Sequence, residues 1–94
     1  MAILGTTTKQ PREVIDFDVS YTTALAARSD TLSTKTVEVS PVGLTIVSST
    51  IVGDKIKVLV SAGTTGITYK VTILATTTGG LTYEDEVTVI VEEV

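Results

Sequence analysis

The chemistry open to this chain rests on its carboxylates. Asp16 and Asp18 stand two residues apart, so on a strand they share a face. Asp54 and the run Glu84-Asp85-Glu86 supply more. Clustered carboxylates can ligate a hard cation such as calcium. A pair facing each other across a cleft, about 5 Å or about 6.5–9.5 Å apart, can cleave a glycosidic bond. Neither use has its ordinary surroundings here. No stretch reproduces the D-x-[DN]-x-[DN]-G calcium loop, and the aromatics that would stack on sugar are few: Phe17, Tyr21, Tyr69 and Tyr83. Gly63-Thr64-Thr65-Gly66 lacks the Gly-Lys-Ser/Thr ending of a phosphate loop. The carboxylates therefore read as a solvated acidic face.

The 94 residues include no Cys, no His and no Trp. Disulfides, Cys/His zinc sites, Cys nucleophiles, Ser–His–Asp triads and His bases are thereby excluded. The expectation is a protein that is no enzyme, with no metal site and no cofactor. The net charge of −4 argues against nucleic acid and anionic membrane as partners. No apolar run approaches the roughly 20 residues of a membrane span. The N-terminus, with Ile3 and Leu4 but no basic region, does not read as a signal peptide.

The elements that must position these groups are strands. The chain holds 19 Thr, 14 Val and 8 Ile, the β-branched types that suit a pleated surface. Ile15, Phe17, Val19 and Tyr21 alternate with polar residues, the period of a half-buried strand. Thr22 to Arg28 reads as one helical turn with Leu25 packed inward. Further strands are expected from about Leu32 to Val39, from Leu44 to Ile51, around Ile56–Val60, around Tyr69–Ala75 and around Val87–Val91. Turn residues separate them at Ser40–Gly43, Val52–Lys55, Ala62–Gly66 and Thr78–Gly80. Such spacing predicts an all-β fold, a single immunoglobulin-like antiparallel β-sandwich of about six or seven strands. Tyr69 stands where such sandwiches place a tyrosine corner. An up-and-down barrel is the alternative. Residues 1–10 read as an extended N-terminal arm, and residues 11–94 as the sandwich domain.

Three residues break the alternation. Leu59, Leu74 and Ile90 lie out of phase with the inward residues of their strands. If the strand bearing Leu59 lies beside that bearing Leu74, all three fall on one outer face and form an apolar contact patch. The apolar triplet Ala2-Ile3-Leu4 gives the arm something to pack on a neighbour. Partner contacts are therefore expected at Ala2, Ile3, Leu4, Leu59, Leu74 and Ile90. Lys55, Lys57 and Lys70 are expected to guard edge strands against unwanted pairing.

Five stretches carry a resemblance. They are Asp16-Phe17-Asp18-Val19-Ser20, Asp30-Thr31-Leu32, Val42-Gly43-Leu44-Thr45, the run from Lys57 to Thr72, and Thr76-Thr77-Thr78-Gly79-Gly80. Over roughly residues 9–91 the chain resembles a family of small tailed-phage virion proteins, the phage fibre–tail adaptors. Tyr21 and Leu59 stand near positions where that family usually has tryptophan. The resemblance implies a non-enzymatic, Ig-like virion structural protein that docks to the tail or adaptor ring and helps attach fibres. A capsid decoration protein and a carbohydrate-binding Ig-like module are the alternatives. It also implies partners among other virion proteins (tail adaptor, fibre or capsid), multiple copies in a symmetric assembly, and synthesis in the host cytoplasm.

Overall fold

The computed structural model describes the backbone of residues 2–93 and the side chains of residues 5–93. Seven strands and one short helix follow in the order β1 (Ala2–Lys9), β2 (Ile15–Ser20), α1 (Thr22–Ala26), β3 (Leu32–Ser40), β4 (Leu44–Val52), β5 (Lys55–Ala62), β6 (Thr68–Thr77) and β7 (Thr82–Val91). They form two sheets, β1-β7-β6-β3 and β2-β5-β4. Strands β2, β5, β4 and β7, β6, β3 divide between the sheets as the B, E, D and G, F, C strands of an immunoglobulin-type sandwich do. Two separate sheets replace the barrel alternative.

Alternating β-branched residues explain the two-layer arrangement. On β5, Ile56, Val58 and Val60 point inward; on β6, Tyr69, Val71, Ile73 and Ala75 do; on β7, Val87, Val89 and Val91 do. Leu25 of α1 is buried with them and plugs one end of the sandwich. Each such Val or Ile contributes about 1.5–3 kcal/mol by leaving water. Against a net stability of about 5–15 kcal/mol, one polar substitution at Val58 or Val71 would remove a large share. The accessible surface, 5331 Å², matches what surface scaling gives for a compact chain of this mass, about 5,200 Å².

Two features differ from the sequence reading. The expected arm is mostly strand β1, which pairs in parallel with β7 of its own chain, from Ala2 beside Asp85 to Lys9 beside Val91. The sandwich is therefore not wholly antiparallel. The edge of β7 offers a full row of unpaired backbone groups, and β1 satisfies them. The second difference is the placing of β5. It lies between β2 and β4, in the sheet opposite β6. Lys55, Lys57 and Lys70 accordingly sit on interior strands, where Lys57 pairs with Asp16 at 3.4 Å and Lys70 with Glu86 at 3.8 Å.

Candidate functional site

The three outward apolar residues do not meet. Leu59 lies on the outer face of the β2-β5-β4 sheet, between Asp16 and Ser48. Leu74 and Ile90 lie on the outer face of the other sheet, at opposite ends of the β6–β7 ladder: Leu74 faces Glu84, and Ile90 faces Thr68. Six residues of strand, about 20 Å, separate them. Thr72, Lys70, Glu86 and Thr88 fill the gap. The single apolar patch is thus overturned, because it required β5 and β6 to be neighbours. Ala2, Ile3 and Leu4 occupy the first half of β1; their side chains lie outside the described residues.

At the end where β1 and β7 finish, the chain builds a buried polar knot. Lys9 is 1% exposed, and its ammonium donates to the carbonyl oxygens of Gln10 at 2.7 Å, Pro11 at 3.3 Å and Ala62. Burial pulls its pKa below the usual lysine value, opposed by the nearby Glu13 and Tyr69. The Tyr69 ring is buried beside this knot. A Cβ on Gly43 would come within 2.7 Å of the Tyr69 hydroxyl, and one on Gly63 within 2.7 Å of Val91.

At the opposite end, the Asp30 carboxylate clasps two loops. Its Oδ1 accepts from the N–H of Thr31 at 2.8 Å and of Gly79 at 2.9 Å. The Thr31 and Thr78 hydroxyls meet at 2.8 Å. The neighbouring Thr77 hydroxyl, then these N–H groups, hold the Asp30 carboxyl below the usual carboxylate range. The Thr78–Gly80 turn is therefore tied down.

Beside this clasp opens a cleft of about 530 Å³, lined by Ser20, Tyr21, Thr23, Ala24, Tyr83 and Asp85. Tyr21 follows β2 and its N–H donates to the Asp54 carbonyl at 2.9 Å, which fixes the ring's root. Its ring stacks on Tyr83, with centroids 5.8 Å apart and planes at 27°. The Tyr21 hydroxyl is buried and has no hydrogen-bond partner. Burial first, then donation of the hydroxyl toward the Asp85 carboxylate, a contact outside strict hydrogen-bond geometry, pushes its pKa far above the usual tyrosine value. Asp85 has the inward parity of Val87 and Val89, which places it at the mouth of the inter-sheet layer. Among the described residues no cation pairs with Asp85, and no group of three or more acidic residues converges as a metal site.

Over residues 9–90 the chain matches the family model described as podophage GP4 fiber-tail adaptor protein gp77. The chain belongs to this fiber–tail adaptor family. No curated protein matches it. In this adaptor chain four of the five stretches that carried the resemblance meet at the two ends of the sandwich, and the fifth, Asp16–Ser20, pairs with β5. Gly43 and Leu44 pack against Gly63 and Tyr69 at one end, and Asp30-Thr31 against Thr78-Gly79 at the other. They explain how the adaptor fold is closed. The matched region begins at Lys9, the last residue of β1, so the rest of that strand lies outside it.

Sequence reasoning missed the Lys9 knot and the Asp85 cleft. Asp85 was legible only as one member of an acidic run; the β7 parity that turns it inward was the available signal. Lys9 carried no sequence signal beyond its place before Pro11.

Proposed function

We propose that the protein is a non-enzymatic component of the phage particle that joins a fibre to the tail. The observation that carries this reading is the family match over residues 9–90. A sandwich pinned at both ends supports it, because an adaptor must hold its shape between two neighbours. In this reading it has Ig-like character and sits in several copies on a cyclic tail assembly. It is made in the host cytoplasm and meets neither nucleic acid nor membrane, in keeping with its charge of −4.

Contact with neighbours follows the surfaces described above, now as separate points. Strand β1, with Ala2, Ile3 and Leu4, is an outer edge whose free backbone groups can accept a strand from another subunit. Leu59 serves one face of the sandwich; Leu74 and Ile90 serve the other.

Copy number in purified virions tests the reading. Quantitative mass spectrometry against the major capsid protein should give a tail-like count, on the order of six or twelve. Hundreds of copies would overturn the adaptor role in favour of capsid decoration.

A further inference from the structure

We propose that β1 is an exchangeable strand, which leaves its own β7 and pairs with the β7 of a second copy of this chain. Within one chain β1 pairs with β7 and with no other strand. Of its described side chains, Gly5, Thr6 and Thr8 are exposed, Thr7 is half-buried and Lys9 is buried, so β1 gives the core no apolar side chain among them. The ladder itself is interrupted by a register shift between Ile3 and Gly5. A strand held by main-chain bonds and one buried ammonium opens at a lower cost than the core strands do.

What opening uncovers selects the occupant. The bared β7 edge takes a parallel strand. At the end of that edge, the Ala62 carbonyl takes an ammonium. β1 supplies both, as a strand that finishes in Lys9. A second copy therefore reproduces in trans every contact made within the chain, and only the linker differs. Lys9 fixes the register, because a buried ammonium is tolerated only where carbonyl oxygens receive it. A strand inserted short of its full length would leave that charge unpaired.

The linker permits the exchange. Gln10, Arg12, Glu13 and Val14 are exposed, and Pro11 is half-buried. In the closed turn the Glu13 N–H donates to the Gln10 carbonyl at 3.1 Å, and the Gln10 N–H donates to the Glu13 carboxylate at 2.7 Å. Pro11 biases Gln10 toward extended backbone, which favours the open form. Extended, the chain from Lys9 to Ile15 reaches about 20 Å. The body is 21 by 19 Å across, so β1 can pass to a copy lying alongside. Donation of this kind runs head to tail, and it closes a ring where the rotation between copies allows.

This inference rests on the adaptor reading only for the ring in which such copies sit. The two fail separately: copy number is read on the virion, and exchange is read on the isolated full chain. The chain has no cysteine, so a disulfide reports only on positions chosen for it. Thr6 and Thr88 stand opposite each other in the β1–β7 ladder, Thr6 exposed and Thr88 half-buried. One batch of the full chain carries Thr6→Cys and another carries Thr88→Cys. Mixed in equal amounts, refolded together from urea and oxidised, they should give a disulfide heterodimer about tenfold above either homodimer. Its yield should rise with the protein concentration at refolding. The double variant Thr6→Cys/Thr88→Cys, oxidised at high dilution, closes the bond within one chain. It should stay monomeric at concentrations where its reduced form associates. Light scattering on the unaltered chain, refolded at the same concentrations, should show that association, a readout that needs no variant to fold. No disulfide between the batches, a surplus of the Thr6→Cys homodimer (which marks β1 edges lying side by side), equal yields of all three pairings, or an unaltered chain that stays monomeric overturns the proposal.

Discussion

The hydroxyl of Tyr69 accepts a hydrogen bond from the backbone N–H of Thr64, 2.9 Å away and five residues back in the chain. This contact folds the β5–β6 connection over the end of the sandwich. The N–H of Gly66 donates to the Val91 carbonyl at 2.8 Å, which joins the same loop to β7. Tyr69→Phe keeps the buried ring and leaves the Thr64 N–H without its acceptor. The expected loss is about 1–2 kcal/mol, read as a lower urea midpoint at unchanged slope.

Gly43 has φ +139° and lies under the Tyr69 ring, whereas Gly53 has φ +60° with open space around it. Gly43→Ala meets both backbone strain and a clash, and should cost about 2 kcal/mol or more. Gly53→Ala meets backbone strain alone and should cost about 1 kcal/mol. Equal losses in thermal or urea unfolding would show that the Tyr69 contact is irrelevant.

Tyr21 sets an alkaline limit. Its folded pKa is raised above the ordinary tyrosine value of 10.0. Above pH 10 the unfolded chain gives up this proton while the folded chain keeps it, so stability falls as pH rises. Urea midpoints measured from pH 9 upward should show that fall, and Tyr21→Phe should reduce it.

Asp30 acts at the other extreme. Its folded pKa lies below the ordinary value of 3.8. The unfolded chain therefore binds the proton first, and the stability present at neutral pH drains away as pH falls through 3.8 and then through the folded pKa. Asp30→Asn should flatten that acid limb. A limb equally steep in the variant would assign it to other carboxylates.

Strand β1 can be separated from the rest. A chain that begins at Lys9 keeps the ammonium knot and loses the partner of the β7 edge. It should fold, with reduced stability, and fail to enter particles when supplied in place of the full chain. Normal incorporation, scored by mass spectrometry of virions, would remove β1 from the docking surface.

Where one face of a strand was buried against the other sheet, the sequence was readable. Ile56, Val58 and Val60 alternate with Lys55 and Lys57, and this pattern alone located β5. Leu25 and Tyr69 were likewise visible. Strand β4 was harder, because the register shifts between Ile46 and Ser48 and leaves Val47 half exposed, which breaks the period. Strand β1 was unreadable as a strand, since Thr6-Thr7-Thr8 has no period and its partner lies at the far end of the chain. The joint apolar patch failed for a topological reason. Phase along one strand shows which side chains point outward, but not which sheet the strand joins. Leu59 and Leu74 were both correctly outward, on opposite sides of the molecule.

The parallel pairing of β1 with β7 has a mechanical meaning. Ala2 lies at one end of this ladder and Val91 at the other, within a body 44 Å long and 21 by 19 Å across. A pull that grips the chain at these two residues runs along both strands in opposite directions. It loads the whole row of β1–β7 hydrogen bonds in shear, all at once, instead of peeling them one by one. Resistance to such a pull is a matter of unfolding rate, not equilibrium stability. A domain strung between a tail and a fibre would meet load in this direction with its strongest geometry.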